Sequence, residues 1–199
     1  MADEGVDESK RATLRRFAAF GAATPFVRLS ADDESDVREA IVGYLASTPG
    51  AHFSKIRDDL QLGTGEAQYH LRRLERASVI EHREDGEYKR YFPADRFSAF
   101  EQRALGYLRR ETPRRMILVL LEEPSATASS IADRLGVSRA AVSKHAAELE
   151  SAGLLSREEG YALRRPETLL TLVVRYADSF GQAAVELADS ADKLLTYDP

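Results

Sequence analysis

Apolar and polar positions follow the same order in two stretches of the chain, residues 49–80 and 124–155, at a constant offset of 75 and without a gap. Two copies at so long a period are too few for a solenoid, so the repeat predicts two tandem domains. The matched positions pair Ile56 with Ile131, Leu60 with Leu135, Leu62 with Val137, Ala67 with Val142, His70 with His145, Leu74 with Leu149, Ala77 with Ala152 and Ile80 with Leu155.

Each copy has the pattern of two short helices joined by a tight turn. In the second copy Ile131 and Leu135 lie one helical turn apart on one face, and Gly136 follows as a helix breaker. Ser138 is a good N-cap for the next helix, because its hydroxyl can accept from an otherwise unpaired backbone N–H. Two short helices with a glycine-containing turn form the helix-turn-helix unit. The predicted helices span 53–62 and 66–78 around a turn at 63–65 in the first copy, and 128–135 and 139–152 in the second.

A β-hairpin is predicted after each pair of helices. Asp85 and Gly86 separate two strand-like runs, 80–83 and 88–93, and this dipeptide favours the tight turns of hairpins. A shorter version of the same pattern covers 155–163. A helix-turn-helix followed by a hairpin is a winged helix, so each copy is expected to adopt that fold. The helices expected to close the two cores span 36–47 and 113–122.

A long C-terminal helix is predicted over 166–195, where apolar residues recur at alternating three- and four-residue steps. A helix of this length extends about 45 Å, more than a small domain needs to cover its core. The favoured interpretation is a helix that pairs two chains, for example as a coiled coil; the alternative is a helix packed back on the second copy. The residues assigned to the dimer interface are Leu169, Leu172, Tyr176, Phe180, Ala183 and Leu187.

The predicted fold class is mainly α with small β wings (α+β), in two tandem winged helix-turn-helix domains plus the long C-terminal helix. Two further helices are predicted over 10–21 and 98–110. The predicted domains are 1–30, an N-terminal tail and amphipathic helix; 31–95, winged helix-turn-helix domain 1; 96–111, a linker helix; 112–163, winged helix-turn-helix domain 2; and 164–199, a C-terminal dimerisation helix.

Residues 68–76 (QYHLRRLER) and 135–145 (LGVSRAAVSKH) resemble the helix-turn-helix cores of archaeal and bacterial ArsR/MarR-type winged-helix transcriptional regulators. Residues 88–93 (YKRYFP) are similar to the wing strand of that family. The resemblance covers roughly 36–93 and 112–163. It implies double-stranded DNA as a partner, a homodimer, and an N-terminal helix that joins the dimer interface.

Composition excludes several other classes of protein. Cysteine is absent, which removes disulfides, thiol redox sensing and thiolate metal sites. The four histidines show no ligand spacing, and His70 and His145 at equivalent helix positions are expected to pack, so no metal or other cofactor is predicted. No phosphate-binding loop, nucleophile elbow or convergent carboxylate pair is present, so an enzyme is not expected. Neither a membrane span nor a secretory signal is recognisable, and the protein is expected to be cytoplasmic.

The charge balance is unusual for a nucleic-acid binder, with a net charge of −5. Arginine far outnumbers lysine and aspartate is abundant, a mixture that resembles the proteins of salt-accumulating halophilic archaea. In such proteins an acidic surface maintains solubility. Local charge must therefore decide which surface meets DNA.

The second helix and the wing of the first copy form a basic cluster. Gln68 suits a bidentate contact to adenine, and Arg72 can reach guanine or a phosphate. The alternative is a solvated helix face stabilised by arginine–glutamate pairs. The predicted DNA-binding residues of this copy are Lys55, Thr64, Gly65, Gln68, Tyr69, Arg72, Arg73, Lys89 and Arg90.

The second copy is less basic, because Glu148, Glu150 and an acidic wing tip at 158–159 offset its cations. DNA contact and docking of a protein are equally weighted for this copy. Its positions that match the family's reading helix are Ser138, Arg139, Ser143 and Lys144. The predicted function is a homodimeric, sequence-specific transcriptional regulator. The alternative is a non-catalytic scaffold or chromosome-organisation protein that binds a protein partner; a small-molecule effector is left open.

Overall fold

The computed structural model describes residues 10–17 and 33–191 and divides the chain into two compact units, Met1–Phe97 (unit 1) and Ser98–Pro199 (unit 2). The predicted helix at 98–110 is observed at Ala99–Leu108 and belongs to unit 2. Residues 18–21 of the predicted N-terminal helix and 192–195 of the predicted C-terminal helix lie outside the described residues. Within the described part, no helix combines the length and apolar character that a membrane span requires.

Unit 1 is a winged helix. Its hairpin strands pair antiparallel, with the turn at Gly86 in the left-handed region (φ +63°), and a third short strand pairs with the outer side of the second. The sheet order is β1-β3-β2, so β3 is the central strand. The elements are α1 (10–17), α2 (Asp33–Ser47), β1 (Ala51–His52), α3 (Phe53–Asp59), α4 (Thr64–Arg76), β2 (Ile80–Asp85) and β3 (Tyr88–Pro93).

The core of unit 1 lies between its helices and the sheet. The predicted apolar positions Ile56, Leu60 and Ile80 are fully or almost fully buried there, as is Tyr44 of α2. The Tyr44 hydroxyl keeps a partner by donating to Asp59 Oδ2 at 2.8 Å. α2 and α3 are therefore joined by both apolar packing and a hydrogen bond.

The turn between α3 and α4 differs from its predicted position. α3 ends at Asp59 rather than 62, because Gln61 adopts a left-handed backbone (φ +54°) that stops the helix. α4 begins at Thr64 rather than 66, with Gly63 as its N-cap. Gly63 has no side chain to cap the helix, and Glu66 reaches back to accept from its N–H at 3.1 Å.

Unit 2 contains the second copy, preceded by two helices and followed by three. Its wing is much shorter than that of unit 1, with two residues in each strand. The elements are α5 (Ala99–Leu108), α6 (Glu111–Glu122), α7 (Ala128–Leu135), α8 (Arg139–Ser151), β4 (Leu155–Ser156), β5 (Ala162–Leu163), α9 (Pro166–Arg175), α10 (Ala177–Phe180) and α11 (Gln182–Asp189).

The repeat holds in the backbone of the two units. α3 and α7 begin 75 residues apart, and so do α4 and α8. Gln61 (φ +54°) corresponds to Gly136 (φ +69°), and Ser78 (φ +54°) corresponds to Gly153 (φ +72°), so both left-handed turn positions recur. The prediction of two tandem helix-turn-helix domains is confirmed.

The prediction of one long C-terminal helix is wrong. The helical path breaks at Tyr176 and at Gly181, whose φ of +96° is outside the helical region, and α11 packs against α6 and α9. Arg109 stabilises the chain between these breaks. It donates to the Ser179 carbonyl oxygen at 2.8 Å, and its guanidinium carbon lies 4.4 Å from the centroid of the Phe180 ring.

The residues assigned to the dimer interface also differ from the prediction. Of the six, five are buried inside unit 2 and only Ala183 is exposed. Apolar spacing alone does not distinguish a helix that meets a partner chain from helices that cover their own core. The homodimer stays a prediction, and these five side chains serve the core of unit 2: Leu169, Leu172, Tyr176, Phe180 and Leu187.

Candidate nucleic-acid interface

α4 is amphipathic, and its outer face carries most of the DNA-binding residues predicted for unit 1. Ala67, His70, Leu71 and Leu74 point into the core of unit 1. The residues between them, at helical spacing, face solvent, and half of the Tyr69 side chain is exposed. The exposed residues of α4, called the α4 face below, are Thr64, Gly65, Gln68, Tyr69, Arg72, Arg73 and Arg76.

Hydrogen bonds one helical turn apart organise the α4 face. Arg72 donates from Nη2 to Gln68 Oε1 at 3.4 Å, and Arg73 donates from Nη1 to the Tyr69 hydroxyl at 3.0 Å. These bonds use one guanidinium nitrogen each, and an arginine has five N–H donors in all. The face therefore presents amide, phenol and guanidinium groups to solvent.

Gly65 lies in the first turn of α4 with no steric reason in the fold to be glycine. No atom lies within 4 Å of the place that a Cβ would take. Glycine within a helix costs roughly 0.5–1 kcal/mol relative to alanine. A residue without a side chain leaves the backbone at this end of the helix open to close approach by another molecule.

The first turn of α4 is anchored by Glu66. Lys10 of α1 lies 3.0 Å from Glu66 Oε2, beside the bond that Glu66 accepts from Gly63. Burial acts to raise the pKa of Glu66, but the hydrogen bonds from Lys10 and from the Gly63 N–H outweigh it, so the pKa lies below its usual value. Glu66 is consequently ionised and engaged within unit 1.

The wing presents a different pair of residues from the predicted one. The structure corrects the prediction that Arg90 contacts DNA. Its side chain is buried, forms an ion pair with Asp85 and donates to the Gly50 carbonyl oxygen at 3.1 Å. The reason is that Arg90 pairs with both β1 and β2, and its guanidinium is held inside the unit by Asp85 and by the carbonyl oxygen of Gly50, which lies directly before β1. Lys89 is half exposed, 3.7 Å from Glu84.

Tyr88, which the sequence did not single out, is exposed beside Lys89 on the wing. Half of its side chain is accessible, and its ring centroid lies 5.2 Å from that of His52. The signal in the sequence was its place directly after the hairpin turn, where side chains reach furthest from the core. Lys55, on α3, is exposed and bonded to Asp59 at 2.8 Å.

The equivalent face of α8 in unit 2 has a different charge. Ser138 caps the helix by accepting from the Ala141 N–H at 3.1 Å, as predicted, and Arg139, Ser143 and Lys144 are exposed. The positions of the three arginines of the α4 face are occupied in α8 by Ala147, Glu148 and Ser151.

The wing of unit 2 adds to this difference. Glu158 and Glu159 are exposed at its tip, and Arg157 before them is bound to Glu150 at 2.6 Å. The basic character of the α4 face is therefore not repeated in unit 2.

The two equivalent histidines lie on the inner sides of their helices. His70 is buried, and His145 is partly buried with Nδ1 3.1 Å from Glu148 Oε2. Among the described residues, no group of three histidine or acidic side chains is arranged to hold a metal ion.

Comparison with known proteins agrees with the fold of the two units. A family model described as an N-terminal HTH domain matches residues 35–105, and the model of the MarR family matches residues 103–165. An uncharacterised HTH-type transcriptional regulator of Methanocaldococcus jannaschii is 30% identical over 159 residues, which cover 76% of this chain and 40% of that protein. No solved structure matches the chain. The resemblance to MarR-like winged-helix regulators is thereby confirmed, and the chain carries two helix-turn-helix domains in tandem, the second of which matches the MarR family.

Proposed function

We propose that the protein is a sequence-specific transcriptional regulator that binds double-stranded DNA as a homodimer, with α4 of unit 1 in the major groove. The observation that carries the proposal is the α4 face, which gathers an amide, a phenol and three guanidinium groups on an acidic chain. The major groove of B-DNA admits an α-helix, and its base edges pair with amide and guanidinium groups. No catalytic step is part of the proposal.

Three residues of the α4 face and two lysines outside it have distinct proposed roles. Gln68 reads adenine by a bidentate contact, and Arg72 reads guanine or holds a phosphate. Gly65 lets the helix approach the DNA closely. Lys55 and Lys89 contact phosphates on either side of the groove, and these contacts set position rather than sequence preference.

Unit 2 is proposed to dock a protein partner or to contact DNA weakly, and a scaffold role for it is the second candidate function. The observation that favours docking is the loss of all three arginines at the positions equivalent to the α4 face, together with the acidic wing tip. An acidic surface repels phosphates, so base reading by α8 would lack the electrostatic support available to α4.

The internal repeat supplies a matched experiment. Duplexes are selected from a random pool by the unmodified protein, and binding is measured by mobility shift against random competitor DNA. We expect Gln68→Ala with Tyr69→Ala to abolish the preference for selected duplexes, because the base contacts are lost. Ser143→Ala with Lys144→Ala, the equivalent pair in unit 2, is expected to retain it. Lys89→Ala should weaken binding to selected and random DNA equally.

Two results would contradict the proposal. One is the absence of any duplex enriched by the unmodified protein, which would favour the scaffold. The other is an unchanged preference in the Gln68 and Tyr69 variant together with loss of preference in the unit 2 variant. Sedimentation of the complex and the symmetry of its footprint test the homodimer, since two chains related by a two-fold axis require a pseudo-palindromic site.

A further inference from the structure

α1 brings a basic segment to the start of α4. Lys10 at the beginning of α1 is paired with Glu66 in the first turn of α4, 3.0 Å apart. One turn later Leu14 is buried in the core of unit 1, and the Phe17 ring lies 5.2 Å from the ring of Tyr44 in edge-to-face contact. These three contacts fix α1 on unit 1 with its first turn beside that of α4.

The outer side of α1 is strongly basic. Residues 10–17 contain four cations and no acidic residue, in a chain whose net charge is −5. Lys10, Leu14 and Phe17 share the inner side of the helix at helical spacing. The other sides of the helix face away from that core. The exposed basic residues there are Arg11, Arg15 and Arg16.

We propose that α1 is part of the DNA interface and that Arg11, Arg15 and Arg16 contact phosphates beside the groove that holds α4. This inference rests on the proposed function of unit 1. A reading helix enters the major groove with its N-terminal residues at the bases, so an element fixed to that first turn lies close to a DNA backbone. Arginine suits this position because its planar fork of donors can hold two phosphate oxygens at once.

The test compares two variants, each of which loses three positive charges at a different place on the chain. In one variant Arg11, Arg15 and Arg16 are changed to glutamine; in the control Arg96, Arg165 and Arg175, exposed arginines elsewhere on the chain, are changed to glutamine. Affinity for a selected duplex is measured by fluorescence anisotropy over a series of salt concentrations, with the unmodified protein alongside. Thermal melting of both variants verifies that they are folded.

We expect the α1 variant to bind about 10- to 100-fold more weakly near physiological salt, and the control to change by less than about threefold. The slope of log affinity against log salt should become shallower by about 2 to 3 in the α1 variant, because each lost phosphate contact removes about 0.9. If the triple variant melts at a lower temperature than the unmodified protein, Arg15→Gln alone is measured instead. We expect it to make the salt slope shallower by about 1.

The outcomes separate this inference from the proposed function. Selected DNA that is bound equally well, with the same salt slope, by the α1 variant overturns the inference and leaves the DNA-binding function standing. A weaker affinity that is accompanied by loss of the dimer in sedimentation assigns α1 to the contact between chains, and also overturns it. If the unmodified protein binds no duplex, both proposals fail.

Discussion

His52 occupies the N-cap of α3, where its ring nitrogen Nδ1 accepts a hydrogen bond from the Lys55 backbone N–H at 3.2 Å. Burial lowers the pKa of His52, and the positive charges of Arg90 and Lys55 lower it further. A protonated ring would lose the acceptor that caps the helix. The folded protein therefore favours the neutral ring.

This lowered pKa predicts an acid-sensitive contribution to stability. Below the ordinary histidine pKa of about 6.5, the unfolded chain takes up a proton that the folded chain does not, so unfolding is favoured as the pH falls. His52→Asn keeps a cap acceptor without the titration. We expect the denaturant midpoint of the unmodified protein to drop more between pH 7.5 and pH 5.5 than that of the variant, measured by circular dichroism. Equal drops would contradict this account of His52.

Arg90 illustrates a limit of reading single residues from the sequence. Its position in a basic run beside the hairpin turn is the same as that of Lys89, and the two were predicted to act alike. Their burial differs because the Arg90 guanidinium donates to the carbonyl oxygen of Gly50, which lies directly before β1, a strand of two residues with no recognisable pattern that pairs with β3. Which side of a strand is covered depends on that distant pairing, and a local pattern does not contain it.

At the scale of elements, the amphipathic pattern predicted the four helices of the two helix-turn-helix units and both wings, with errors of two or three residues at the turn of unit 1. Apolar spacing is sufficient there because each helix buries one stripe. The spacing failed at the C-terminus, where the stripe continues through Tyr176 and Gly181 although the helices do not. The α4 face was predictable for the same reason, since its residues lie between the buried positions.

The two turns provide an equivalent pair for a stability test. Gly136 and Gln61 occupy corresponding positions with left-handed backbones, and a Cβ at Gly136 would meet no atom within 4 Å. We expect Gly136→Gln to lower the free energy of unfolding by about 1 kcal/mol, because a side chain in this conformation costs roughly 1–2 kcal/mol. Gln61→Gly should leave it unchanged or raise it by up to about 1 kcal/mol, since relief of strain is partly offset by chain entropy. Chemical denaturation measures both; a loss in Gln61→Gly would contradict the assignment.

At the scale of the whole molecule, one fold occurs twice with different surfaces. Both units retain the apolar residues of the repeat in their cores, so packing constrains these positions in the same way. The exposed helix positions are outside the cores and can differ between the units. Unit 1 combines a basic α4 face, a basic α1 and a wing of two six-residue strands. Unit 2 has an acidic wing tip and three additional helices packed on its core. We therefore propose that unit 1, rather than unit 2, reads the DNA sequence.

The most direct test of that assignment exchanges the charges of the two helices. One variant carries Arg72→Ala, Arg73→Glu and Arg76→Ser, which are the residues of unit 2 at those positions. A second carries the reverse exchange in α8, at Ala147, Glu148 and Ser151, each to arginine. Binding to selected duplexes is measured by anisotropy. The account predicts that the first variant loses specific binding by 100-fold or more, on the order of 3 kcal/mol for three lost contacts, and that the second still binds them. Retained affinity in the first variant would contradict it.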